Sequence, residues 1–218
     1  NRKRKEQIMA DETTLRIYRG DNQSGEMVDY KVPVAPGMVV LDAIHEVQAR
    51  HASDLAIRWN CKAGRCGSCS AEVNGRPRLT CMDRIDKYPP DQPIVVRPMK
   101  AFPVIKDLVV DRTAFDRIIA KGGYISVNTG SVKDANSLPI SKENADEAFE
   151  AAACIGCGAC VAACKNSSAM LFVSAKVTHL ALLPQGDPER RTRALNMVAQ
   201  MDKEGFGGCT NTGACEAI

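Results

Sequence analysis

The chain has 218 residues, of which 44% are hydrophobic and 25% charged, enough to bury a core in one large domain or two small ones and too apolar for a disordered chain. Net charge is +3, but Arg2, Lys3, Arg4 and Lys5 supply four of the positive charges, and without that tail the chain sits near −1, which excludes a surface-wide basic field for nucleic acid. The charged start has no apolar run behind it, and the longest uncharged stretch, residues 151–164, is too short to span a bilayer. Neither a secretory signal nor a transmembrane helix is therefore expected, and work at a membrane requires docking to another protein.

In chain order, residues 13–19 and 27–33 alternate in polarity across a Gly/Asp/Asn-rich turn and predict a hairpin. Residues 39–50 have helical periodicity, with Val40, Ile44 and Val47 on one face. Residues 70–73 and 77–79 flank Asn74-Gly75, a strong hairpin turn, and 93–97 form a further strand after a Pro-rich loop. These elements make a small mixed sheet wrapped on one helix.

The second half reads as helices. Residues 107–121 are amphipathic and stop at Gly122-Gly123; a long polar segment, 123–141, follows. Residues 142–153 are helical with Ser141 as N-cap, and Asp187-Pro188 marks the start of a helix that runs to about Lys203. The expected organisation is α+β, with domains at 1–107 and 108–218.

Ten cysteines fall into two sets on either side of a stretch of over seventy residues without one. Their tight spacing suits metal ligation better than disulfides. Cys61, Cys66, Cys69 and Cys81 are spaced C-x4-C-x2-C-x11-C, and the first three match the plant-type ferredoxin spacing for a [2Fe–2S] cluster. Four thiolates give each of two irons a terminal pair. Gly64 and Gly67 suit a loop that turns backbone N–H groups toward sulfur. A four-thiolate zinc site is the alternative.

Cys154, Cys157, Cys160 and Cys164 form the bacterial ferredoxin run C-x2-C-x2-C-x3-C, in which the first three hold one [4Fe–4S] cluster and the fourth serves another. Cys209 and Cys215 sit six apart, as the first and third members of a second run whose middle position is Thr212. Cys164, Cys209 and Cys215 then supply three thiolates and no fourth, which favours [3Fe–4S]. The repeat places its remaining ligand at position 219, one residue past Ile218, and we expect the native chain to supply a cysteine there for the site of Cys154, Cys157 and Cys160. Lys165 stands where such runs usually carry Pro.

With W-N-C-K-A-G-R-C-G-S-C plus Cys81, then C-I-G-C-G-A-C-V-A-A-C-K, then C-T-N-T-G-A-C, essentially the whole chain resembles the iron–sulfur subunit of succinate dehydrogenase and fumarate reductase. The resemblance implies a plant-ferredoxin-like β-grasp domain followed by an all-helical bacterial-ferredoxin-like domain. It implies an FAD-containing flavoprotein partner that oxidises succinate, and a cytochrome b membrane anchor where quinone is reduced. It further implies electron passage from [2Fe–2S] near the flavin through [4Fe–4S] to [3Fe–4S] near the quinone. The subunit would then be peripheral on the cytoplasmic face of a bacterial inner membrane, with no catalytic acid or base of its own. Fumarate reductase working in the opposite direction, and a stand-alone multi-cluster ferredoxin, are the alternatives.

Ubiquinone-using members of the family commonly place a His after the cysteine matching Cys209 and a Trp shortly after the one matching Cys164. Thr210 and residues 166–169 stand there instead, which points to menaquinone. The one Trp, Trp59, lies beside the first cysteine set. His45, His51 and His179 are scattered and read as helix-surface, surface and packing residues; they make no Rieske-type pair.

Overall fold

The computed structural model describes residues 12–127 and 140–218. These fall into two compact units. One takes the described residues up to Asp111 together with Cys157–Ala163 and Ile218; the other takes those of Arg112–Gly156 and Cys164–Ala217.

The first unit holds β1 (Glu12–Gly20), β2 (Gly25–Pro33), α1 (Val40–Arg50), β3 (Ser70–Val73), β4 (Arg76–Leu79) and β5 (Ile94–Arg97). The five strands form one mixed sheet in the order β2-β1-β5-β3-β4. β1 pairs antiparallel with β2 and parallel with β5, while β3 pairs antiparallel with both β4 and β5. Alternation along β1 turns Leu15 and Ile17 inward and leaves Arg16 outside, where its Nε meets Asp29 across the hairpin at 2.6 Å.

Val40, Leu41, Ala43, Ile44 and Val47 recur at helical spacing and are no more than 1% exposed. All but Leu41 share one apolar cluster with Leu15, Ile17, Val32, Ala71, Val73, Ile94 and Val96 from the sheet. Each fully buried aliphatic is worth about 1.5–3 kcal/mol, so this face holds the helix to the sheet. At the β3–β4 turn Asn74 and Gly75 both have positive φ (46° and 79°), as a two-residue hairpin requires, and Asn74 Oδ1 accepts the Val95 N–H at 2.7 Å.

Residues 107–110 do not join the helix expected over 107–121. β6 (Val104–Lys106) and β7 (Val109–Val110) pair antiparallel around Asp107, whose φ is 50°. The reason is tertiary. The buried Asp107 carboxylate accepts from Arg19 Nε at 3.1 Å, from the Gly20 N–H at 3.0 Å and from the Ala56 N–H at 2.8 Å. Those bonds override the local period, and α2 (Thr113–Ile119) starts only after the strand pair.

Among the described residues the regular elements of the second unit are all helices: α2, α3 (Lys142–Ala152), α5 (Met170–Ala181) and α6 (Arg190–Lys203), with 3-10 turns at Pro184–Glu189 and Ala214–Ala217. The short α4 (Ala159–Ala163) belongs to the first unit and packs against β4. Ser141 caps α3 as expected, accepting the Asn144 N–H at 3.2 Å. Most of the long polar segment expected over 123–141, namely 128–139, lies outside the described residues. Asp187-Pro188 sits in the 3-10 turn and not at a helix start: the Arg190 N–H bonds back to Asp187 O, and α-helical geometry begins at Arg190.

α5 packs on α3 and α6, and α6 on α2. Phe115 and Phe172 stack with centroids 3.9 Å apart and planes 9° apart. Arg193, 2% exposed, donates to Gly122 O at 2.7 Å, Gly186 O at 3.0 Å and Tyr124 O at 3.2 Å, so one side chain collects carbonyls left over at two chain reversals. No helix among the described residues is long and apolar enough to cross a membrane.

Asp107→Ala strips three donors of one buried acceptor, so it lowers stability to urea by about 3 kcal/mol, read as a fall in midpoint at unchanged slope. Asp107→Asn, which keeps one acceptor oxygen, loses less.

Candidate metal centres

None of the ten cysteines is in a disulfide. The first set is built by a loop and a hairpin. Cys61 is exposed and Cys66 half-buried; Cys69 and Cys81, at 3% and 6% exposure, are buried with Leu41. Lys62, Gly64 and Gly67 all have positive φ (53°, 66° and 68°), and the loop curls so that its amides face sulfur. Ala63 and Arg65 N–H groups donate to Cys61 Sγ at 3.4 and 3.2 Å, and the Gly64 N–H reaches Cys81. A Cβ on Gly64 would stand 2.9 Å from Met82 Cγ in a backbone conformation that L side chains rarely adopt, so the position needs glycine.

The Cys81 arm is held by the helix. Val40 N–H donates to Asp83 O at 2.8 Å and Leu41 N–H to Thr80 O at 3.0 Å, so two otherwise orphaned donors of the first turn of α1 grip the chain on both sides of Cys81. Thr80, fully buried, ties that arm to the loop: its N–H and its Oγ1 both donate to Cys69 O, at 3.3 and 2.9 Å. Ser70 Oγ donates to Gly67 O at 2.9 Å and fixes the loop's exit.

The four thiols meet in pairs, Cys66 with Cys61 and Cys81 with Cys69, with Cys61 also acting on Cys81. The Ser68 hydroxyl, then backbone N–H groups and the Cys61 thiol, bring Cys66 down to about 6. Burial, then the Cys69 thiol, pushes Cys81 up to about 11. Among the described residues no three Cys, His, Asp or Glu side chains gather around one point tightly enough for a single ion. Two pairs of soft ligands ringed by inward N–H groups fit a two-metal sulfur cluster better than a single zinc.

Trp59 stands half-exposed two residues before Cys61. Lys62 Nζ lies 5.0 Å from its ring centroid, and His45 meets it edge-on with centroids 4.8 Å apart. His45 Nε2 is buried without a hydrogen-bond partner, and burial followed by Lys62 lowers its pKa. His51 is a surface residue bonded to Lys31 O at 2.9 Å, and His179 lies beside Lys176 on α5.

In the second set, Cys154 and Cys164 belong to the second unit, while Cys157 and Cys160 go with α4 in the first. Cys164, Cys209 and Cys215 line one cavity of about 150 Å³, with Thr212, Thr210, Ser168 and Leu171 among the other walls. The Asn211 N–H donates to Cys209 Sγ at 3.4 Å, and Asn211 has φ of 56°. The same local device thus serves Cys61 and Cys209: a left-handed residue one or two places on, and an N–H from residue i+2 turned onto the sulfur. Thr80 and the amides of α1 had no sequence signal, since no spacing rule marks them.

Two domain families match the chain, one described as 2Fe-2S iron-sulfur cluster binding domain over residues 14–117 and one as 4Fe-4S dicluster domain over 150–218. The succinate dehydrogenase iron-sulfur subunit of Bacillus subtilis is 28% identical, with 95% of this chain and 86% of that protein covered. The fumarate reductase iron-sulfur subunit of Wolinella succinogenes is 31% identical, with 94% of this chain and 89% of that protein covered. Among solved structures, a chain of the Mycobacterium smegmatis Sdh1 complex in the apo form matches at a TM-score of 0.78 and 33% identity, over 96% of this chain and 88% of that one.

In the metal-free chain, alkylation by iodoacetamide should reach Cys66 first: its thiolate forms as pH rises through about 6, so its rate is near its plateau at pH 7 while Cys81, near 11, stays slow. Mass spectrometry of peptides after timed quenching checks the order.

Proposed function

The chain belongs to the family of iron–sulfur subunits of succinate dehydrogenases and fumarate reductases, and from that premise we propose that it passes single electrons between a flavoprotein and a quinone. The partners proposed are an FAD-containing subunit that oxidises succinate and a cytochrome b membrane anchor. The complex would lie on the cytoplasmic face of a bacterial inner membrane. The direction proposed is succinate oxidation, with fumarate reduction the alternative. The sheet order, with α1 laid on it, supports the β-grasp reading of the first domain.

Cys61, Cys66, Cys69 and Cys81 are assigned to [2Fe–2S]. Cys154, Cys157 and Cys160 are assigned to [4Fe–4S]. The single observation that supports the finer reading is the cavity of about 150 Å³ shared by Cys164, Cys209, Cys215 and Thr212. Three thiols share it with a threonine at the place where the repeat calls for a fourth ligand, and a three-thiol set suits [3Fe–4S].

When bound, such clusters take up and release one electron at a time, which separates the two-electron chemistry of flavin from that of quinone. This chain's residues hold the thiolates in place and keep water from Cys69 and Cys81. Their N–H groups on Cys61 and Cys209 sulfur stabilise the added negative charge of the reduced state. Menaquinone is the quinone proposed. The positions where ubiquinone-using members commonly carry His and Trp hold Thr210 and residues 166–169 here.

Electron paramagnetic resonance of the purified complex tests the assignment. A [3Fe–4S] signal is expected when oxidised and a [2Fe–2S] signal on reduction. Thr212→Cys should convert the former into a [4Fe–4S] signal seen only on reduction. A wild-type complex with no oxidised three-iron signal sinks the reading of Thr212. Succinate-driven reduction of menaquinone and ubiquinone analogues decides the quinone, with the menaquinone analogue expected to be faster; a clear preference for ubiquinone overturns that choice.

A further inference from the structure

Cys164 and Cys209 lie on two chain segments more than forty residues apart, yet line one cavity. The helices that carry the two segments, α5 and α6, pack on each other, and direct contacts between the two arms add to that packing. One residue makes three such contacts. Asn166, two places after Cys164, donates from Nδ2 to Gly208 O at 3.2 Å and to Thr210 Oγ1 at 3.1 Å. Its two acceptors sit immediately before and after Cys209. Its backbone contributes a third contact: a Cβ on Gly207 would fall 1.9 Å from Asn166 O, so the Cys209 arm lies against the Asn166 peptide with no room for a side chain. Ser167 N–H bonds back to Cys164 O at 3.0 Å, with Ser167 at φ of 53°, so Asn166 is carried on a closed turn that begins at Cys164.

We infer that Asn166 is a positioning residue: its amide and its peptide pin the Cys209 arm to the Cys164 arm and set the separation of those two thiols. The inference rests on the reading of Cys164, Cys209 and Cys215 as one three-iron site. Asn166 does not line the cavity itself; it acts through Gly208 and Thr210 on the sulfur between them. The Asn211 amide on Cys209 Sγ lies one residue past Thr210, so a shift of the arm also moves that hydrogen bond and with it the charge stabilisation at the sulfur. Gly207 is the counterpart: its missing side chain permits the approach that the amide then locks.

The test uses the intact complex carrying Asn166→Leu, Gly207→Ala, Thr210→Val or Thr210→Ser. Two exposed hydrogen bonds together correspond to roughly a tenfold change in an equilibrium. Asn166→Leu should therefore release the three-iron signal to a chelator about tenfold faster, alter the shape of that signal and shift its midpoint potential. The two-iron signal in the same sample should be unchanged, which also reports that the complex has assembled. Gly207→Ala should change shape and potential in the same way, and Thr210→Val should do so to a lesser degree. Thr210→Ser, which keeps the acceptor oxygen, should stay within about twofold of wild type. If Asn166→Leu fails to assemble, Thr210→Val against Thr210→Ser carries the comparison. A wild-type three-iron signal whose shape, potential and lability are the same in Thr210→Val and in every assembled variant overturns the inference and leaves the cluster assignment standing. Absence of that signal from the wild type overturns the assignment and the inference with it.

Discussion

Two hydrogen bonds from the first turn of α1, Val40 N–H to Asp83 O and Leu41 N–H to Thr80 O, join the apolar core of the first unit to its chemistry. The helix is fixed by burial of Val40, Ala43, Ile44 and Val47 on the sheet, and its orphaned amides must find acceptors. They find them on both sides of Cys81. Thr80 passes the constraint to Cys69 through two bonds to one carbonyl. The buried pair of thiols is therefore placed by the core, and the exposed pair by the conformation of a short loop.

That division has electrostatic consequences. Burial raises the proton affinity of Cys81, while hydroxyl and amide donors lower that of Cys66. The loop pair is bathed in N–H groups and the core pair is kept from water. Both conditions favour holding a compact, negatively charged sulfur cluster, one by stabilising charge and the other by excluding solvent. The Cys209 loop repeats the first device with Asn211, at the end of an unrelated helical segment. A backbone nest asks only for a left-handed residue and a free amide, so it can be built at a loop in either unit.

Local chemistry made much of this legible. The hairpins, α1 and the cap at Ser141 follow from alternation, helical period, Asn-Gly and a hydroxyl before a helical run. The cysteine spacings, with their glycines, pointed to sulfur clusters. The helix expected over 107–121 starts only at Thr113 because the Asp107 carboxylate serves Arg19, Gly20 and Ala56, which are distant in sequence. Asp187-Pro188 looks like a helix start, yet the turn there closes with a 3-10 bond. α4 and α5 carry little periodic signal, α4 being five residues long and α5 apolar on most sides.

By itself, then, the sequence determined the elements that depend on neighbours in the chain, and the spacing and number of thiols. Steric preference, hydrogen bonding within a turn and ligand spacing are local properties. Only the tertiary structure decided which amides grip Cys81, that Thr80 ties it to Cys69, and that Asn166 reaches across to the residues flanking Cys209. Those contacts join segments up to forty-four residues apart, and no spacing rule encodes them: they exist because packed cores bring particular donors and acceptors to the same place.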